Sequence, residues 1–148
     1  MKLMHVKLEI NGTQLVVLGF FLVVWIALIA ILLLAPDVYA QTLRQAPAGL
    51  RGAEVMFLAV LSAFIAVLVF GVLRRWRWIF WLVLVAFVFG VLRVPVAILE
   101  VVGLLPASGP IWYETLQGVI GVAQLAIALA MWLGYRKSGV WGDFIQRD

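Results

Sequence analysis

Cysteine is absent from the 148 residues, and His5 is the only histidine. Without cysteine there are no disulfides, thiolate nucleophiles, thiolate-ligated zinc sites or iron–sulfur clusters. With one histidine, and that one ahead of the first apolar run, a bis-histidine haem cannot form within the chain. A Ser-His-Asp triad has no histidine at membrane depth either. No cofactor or metal is therefore expected. Charge is scarce too: 12% of residues are charged, against about 25% in ordinary soluble domains. With 66% hydrophobic residues, a soluble fold would leave large apolar patches uncovered.

What is present is apolar and blocked into runs. Mean hydropathy is +1.17. Four stretches, Leu15–Leu34, Val55–Leu73, Trp78–Val102 and Trp112–Tyr135, each approach or exceed the roughly 20 residues that span a bilayer as helix. Val38-Tyr39-Ala40 resembles a signal cleavage site, but the first run outlasts the usual apolar region of about 7–15 residues, so a retained helix is expected. Thr13 is a fair N-cap for it, following the Asn11-Gly12 turn. No soluble segment separates the runs and no internal repeat is visible. The expectation is an all-α integral membrane protein: one compact four-helix bundle over residues 1–148.

Basic residues give an orientation. With four spans, Lys2, Lys7, Arg74, Arg75, Arg77, Arg136, Lys137 and Arg147 share one side, and Arg44 and Arg51 lie on the other. By the positive-inside rule both termini are expected to be cytoplasmic, in a cell (inner) membrane. Trp76, Trp78, Trp81, Trp132, Tyr135 and Trp141 would mark the cytoplasmic interface, and Tyr39, Trp112 and Tyr113 the outer one. The net charge of +4 is thus a topology signal, with no nucleic-acid partner implied. Arg74, Arg75 and Arg77 are expected to snorkel and to attract anionic lipids.

The segment Met4–Ile10 alternates apolar and polar residues, a strand period. It suggests pairing with another chain by strand addition, or a frayed interfacial tail. Pro106–Pro110 reads as a tight turn between the third and fourth helices.

Polar residues inside the runs carry the most information. If the third helix ended before Arg93, Trp78–Leu92 would reach only about 22 Å, short of a core about 30 Å thick. The helix is expected to continue, kinked by Pro95, which leaves Arg93 about 15 Å below the outer surface. A charge at that depth needs partners or water. Arg93 and Glu100 are seven apart and share a face. On the fourth helix Glu114, Gln117, Gly118, Gly121, Gln124 and Ala128 fall within an arc of about 120°. Glu54 joins the two other acids at the outer end. The candidate ligand-binding set is Arg93, Glu100, Glu114, Gln117, Gln124 and Glu54, with the acids at a mouth and Arg93 at the floor. The same residues could instead pair only to lock the hairpin, or meet a lipid headgroup or another chain. Gly118, Gly121 and the Ala126/Ala130/Gly134 row are expected to permit close helix packing.

The layout loosely resembles small bacterial four-helix membrane proteins that carry an Arg/Trp-rich turn such as Arg74–Trp81. The likeness is one of topology and transfers no residue role. The short multidrug exporters differ, because they need an acid in the first helix and none lies between Leu15 and Leu34.

The leading functional expectation is an accessory or scaffold subunit that binds other membrane chains. The alternative is a homo-oligomeric transporter or binding protein for a small molecule or ion, built on the Arg93 pocket. An enzyme using Glu100 and Glu114 as an acid–base pair is less favoured, since no nucleophile or metal set accompanies them.

Overall fold

The four apolar runs form four helical stretches long and apolar enough to cross a membrane. The computed structural model describes residues 10–35, 51–106 and 110–143, with the side chains of 51–54 outside the description. Most of Met4–Ile10 and the centre of the Pro106–Pro110 turn also lie outside it. The elements are α1 (Gly12–Leu34), α2 (Arg51–Leu73), α3 (Arg77–Gly90), α4 (Arg93–Val101) and α5 (Ile111–Ser138). Among the described residues there is no strand. Taken together, α3 and α4 make one span, so four spans are long and apolar enough to cross a membrane.

Local chemistry sets the ends. Asn11, not Thr13, is the N-cap of α1. Its side chain accepts from the Gln14 N–H at 2.9 Å, while the Gln14 side chain accepts from the Asn11 N–H. This reciprocal box satisfies two of the helix's unpaired donors. At the end of α2 the Trp76 N–H reaches the Gly71 carbonyl and the Arg75 N–H reaches that of Val72. That is a Schellman closure, with Arg75 left-handed at φ 55° where glycine is usual.

The third span is broken rather than smoothly bent. Pro95 has no N–H to give the Val91 carbonyl, and its ring crowds that group. The Val94 N–H takes the carbonyl instead, at 3.0 Å, and the Leu92 N–H bonds Phe89 at 3.1 Å. These i→i−3 bonds wind the chain more tightly than α-helix.

Two antiparallel pairs result: α1 lies along α2, and α5 lies along α3 and α4. Tight packing between the pairs concentrates at one end, called basal here, where α1 starts and α5 finishes. Val17, Phe21, Leu68, Val72, Ile79, Phe80, Val83, Phe87, Met131 and Trp141 form the core there. A polar clasp closes it. Thr13 Oγ1 donates to the Gly142 carbonyl at 2.7 Å. Gln14 Nε2 donates to the Val72 carbonyl at 2.7 Å, and Gln14 Oε1 accepts from Arg75 Nε at 3.2 Å. Asn11 Nδ2 donates to the Trp141 carbonyl, and Trp141 Nε1 donates to that of Trp76 at 3.1 Å. Trp141 is 2% exposed, so it belongs to the core and not to an interfacial belt. For helices this apolar, such bonds and close backbone contacts would carry much of the association in a bilayer, where apolar surfaces gain little by meeting one another.

Candidate functional site

Beyond the core the two pairs of helices flank an open-sided cavity of about 730 Å³. Its inner end is set by Phe20, Phe21 and Phe87, whose rings meet edge to face at 5.0 and 5.9 Å. From there it extends to Ile31, Phe57 and Tyr113 near the far end. The walls from α1, α2 and α3 are wholly apolar. The polar lining groups, Arg93, Tyr113, Gln117 and Gln124, all belong to α4 and α5.

A second pocket of about 220 Å³ lies between α4 and α5. Arg93, Val96, Ala97 and Glu100 line it from α4, and Glu114 and Gln117 from α5. The spacing explains the set. Positions 93, 96, 97 and 100 fall on one helical stripe, and 114 and 117 lie one turn apart. Residues 113, 117, 120 and 124 form the neighbouring stripe of α5, which faces the larger cavity. Gln117 sits where the stripes meet. Arg93 and Gln117 therefore line both spaces.

Of the residues singled out from sequence, Arg93, Glu100, Glu114 and Gln117 come together around the smaller pocket. Gln124 lies deeper and lines only the larger cavity. Glu54 is in the first turn of α2, its side chain outside the description. Glu114 is 2% exposed, in the first helical turn of α5, where the helix dipole favours a carboxylate. The Arg93 side chain is exposed to these spaces, and among the described residues no hydrogen bond or ion pair reaches it. The acids and the arginine line one pocket without Arg93 being tied to either.

Small residues bring α5 against the broken span. A Cβ on Gly121 would stand 3.1 Å from the Gly90 carbonyl oxygen, and one on Gly118 would stand 3.4 Å from Ala97. At Gly90 a Cβ would collide with Oε1 of Gln124. That oxygen is buried without a hydrogen-bond partner, an unusual and costly state for an amide. In the Ala126/Ala130/Gly134 row, Gly134 is buried against the Gly142 carbonyl, whereas Ala126 is exposed. The buried stripe runs through Gly121, Ala128, Met131 and Gly134.

Sequence reasoning missed the apolar wall of Phe20, Phe57 and Phe64. Apolar residues facing lipid and apolar residues facing a cavity have the same composition, so no periodic signal separates them. Chemically, the site offers a guanidinium, two carboxyls and amide groups beside a large apolar space. Among the described residues no three His, Asp or Glu side chains are grouped to hold a metal. No family model, curated protein or solved structure matches the chain.

Proposed function

We propose that this chain is a multi-pass binding protein of the cell membrane, with both termini cytoplasmic and its cleft open toward the outer leaflet. The observation that carries this reading is the cleft itself: a cavity of about 730 Å³, of the size of small-molecule sites generally, with every polar lining group on one wall. A uniformly apolar gap would be filled by lipid tails without selection. An arginine shared with a second, acid-lined pocket gives this one a means of choosing. Such a site suits recognition, presentation or transport of a ligand, and its groups are those for holding a molecule rather than breaking a bond. Pairing of two copies would extend the path for a transported ligand beyond the single unit. The accessory-subunit alternative draws on small size and on Met4–Ile10, and no geometry among the described residues adds to it.

The orientation is supported by the distribution of Lys and Arg along the sequence: with four spans, eight would share the side of the termini and two the other. Arg74, Arg75 and Arg77 lie exposed at the basal end, a position suited to anionic headgroups of the inner leaflet.

The test is extraction of what the purified protein carries. Wild type should retain a small molecule or lipid through detergent exchange, detected by mass spectrometry. Ala86→Phe, which fills the cavity from α3, should lose it. A wild type that retains nothing, or a filled variant that retains as much, overturns the binding reading. A companion chain present at one-to-one stoichiometry would then favour the accessory alternative.

A further inference from the structure

The larger cavity has a sign. Among the described residues that line it, Arg93 is the one charged side chain, and Tyr113, Gln117 and Gln124 are the other polar ones. No hydrogen bond or ion pair from a described residue reaches Arg93. Glu100 and Glu114 line only the smaller pocket. Each already engages a partner within the protein, and Glu114 is 2% exposed. They do not neutralise Arg93, and neither is a free carboxylate for an ammonium. We infer that the ligand is an anionic lipid. Its single oxoanion, a carboxylate or a phosphodiester, pairs with Arg93, and its hydrocarbon lies along the apolar walls of α1, α2 and α3. The inference rests on the binding function proposed above.

A guanidinium among helices this apolar is costly without a counter-charge. Arginine meets carboxylate and phosphate oxygens through two parallel N–H bonds, and an ionised partner makes such bonds strong. Gln117 lines both spaces with Arg93, and Tyr113 lies one turn from Gln117 on the same stripe of α5. An amide N–H and a phenol O–H can add donors toward an oxoanion, which only accepts. The charge count follows from the single arginine. The second charge of a phosphate monoester would stand beside the acid-lined pocket with nothing to pair it. The ammonium of a zwitterionic head would compete with Arg93 for the same oxygens and find no carboxylate of its own. The walls set the rest of the ligand. Phe20, Phe57 and Phe64 offer no hydrogen bond, so an inorganic anion would satisfy Arg93 and leave them unmatched. Phe57 is 45% and Phe64 53% exposed although both line the cavity, so it opens at its side. A bilayer lipid can enter there laterally and leave the remainder of its bulk among neighbouring lipids.

Native mass spectrometry of the full chain in detergent tests this with equimolar oleate and, on matched acyl chains, phosphatidylglycerol, phosphatidylethanolamine and phosphatidylcholine. Phosphatidylglycerol should be retained over the two zwitterionic lipids by about tenfold, the factor that one charge-assisted hydrogen bond supplies. Arg93→Leu should bring that ratio near parity. Arg93→Gln should do the same, and it decides the matter where Arg93→Leu does not fold. Arg93→Lys should keep the order of headgroups with a smaller ratio. Arg74 and Arg77 are exposed and attract anionic lipids on their own account. Arg74→Gln combined with Arg77→Gln is therefore the control, and most of the preference should survive it. Oleate held more firmly than phosphatidylglycerol identifies a carboxylate and the reverse a phosphodiester; both support the pairing with Arg93. A preference that survives Arg93→Leu and is lost in the basal double variant overturns the inference. A zwitterionic lipid held as firmly as phosphatidylglycerol overturns it too, and if Ala86→Phe still releases the lipids, the binding function stands. A wild type that retains no lipid or other small molecule overturns both.

Discussion

Thr13, in the first turn of α1, donates its hydroxyl to the Gly142 carbonyl across 129 residues of sequence. Thr13 is 1% exposed, so water cannot replace the bond. The contact joins the start of the first span to the chain just beyond the last. It depends on Gly134, where a side chain would strike the Gly142 carbonyl, and on Gly139, whose φ of 82° turns the chain back under the bundle. The basal clasp therefore holds the two helix pairs together at one end, and the cleft is what remains where they are not clasped.

Thr13→Val keeps the shape and removes the donor. The Gly142 carbonyl then stays buried and unpaired, at a cost of about 1–3 kcal/mol. Thermal unfolding in detergent should fall by several degrees, whereas Thr115→Val, which removes a bond on the exposed surface of α5, should leave it nearly unchanged. Equal melting of the two variants would show that the clasp does not hold the pairs together.

Gly90 and Gln124 form a steric pair, with the amide of one filling the space above the other. Gly90→Ala should destabilise by about 1–3 kcal/mol through overpacking. Gln124→Ala removes an unsatisfied buried oxygen but opens a small void, so its own effect should be small. The double variant should recover most of the loss, because the clash no longer exists. A thermodynamic cycle measures the coupling, and additive effects would deny the contact.

Orientation yields a separate expectation. A protease-cleavable tag at either terminus should resist protease added to intact cells and be cut after the membrane is opened. Cutting from outside would invert the topology, and with it the leaflet from which the cleft is entered.

How far the sequence predicts these features differs by length scale. Four helices long and apolar enough to cross a membrane follow from four apolar runs, because hydrocarbon would impose length and apolarity directly. The shared pocket of Arg93, Glu100, Glu114 and Gln117 follows from spacing within α4 and within α5, each a regular helix. What spacing could not supply was the relation across Val91–Leu92. Each i→i−3 step turns the chain about 120° instead of 100°, so phases counted from α3 no longer apply to Arg93. Pro95 was visible as the cause of a kink, but the distortion falls at the residues preceding it, where its missing donor is felt. The clasp was not legible either. Gln14 and Trp141 are residues of the helix-end and interface type, and only the closure between distant segments makes them buried partners. Asn11 as N-cap was available in the Asn11–Gln14 spacing, which fits a reciprocal capping box better than Thr13 does.

The broken span also gives a way to separate the position of Arg93 from its charge. Pro95→Ala restores an N–H four residues after Val91 and removes the ring that crowds its carbonyl. Regular i→i−4 bonding then becomes available through Val91–Val94, where the chain now uses i→i−3 bonds. Two such steps undone rotate Arg93 relative to α3 by roughly 40°. Arg93 keeps its charge and its register with Glu100, but leaves the junction where the two cavities meet. The variant should melt no lower than wild type, since it gains a backbone bond and loses no core side chain. Its retention of the bound ligand should nevertheless fall. Loss of ligand without loss of stability would separate a binding role for Arg93 from a structural one, because a purely structural arginine would have no ligand to lose. Unchanged retention in Pro95→Ala would mean that the break does not place Arg93, and the junction would lose its part in recognition.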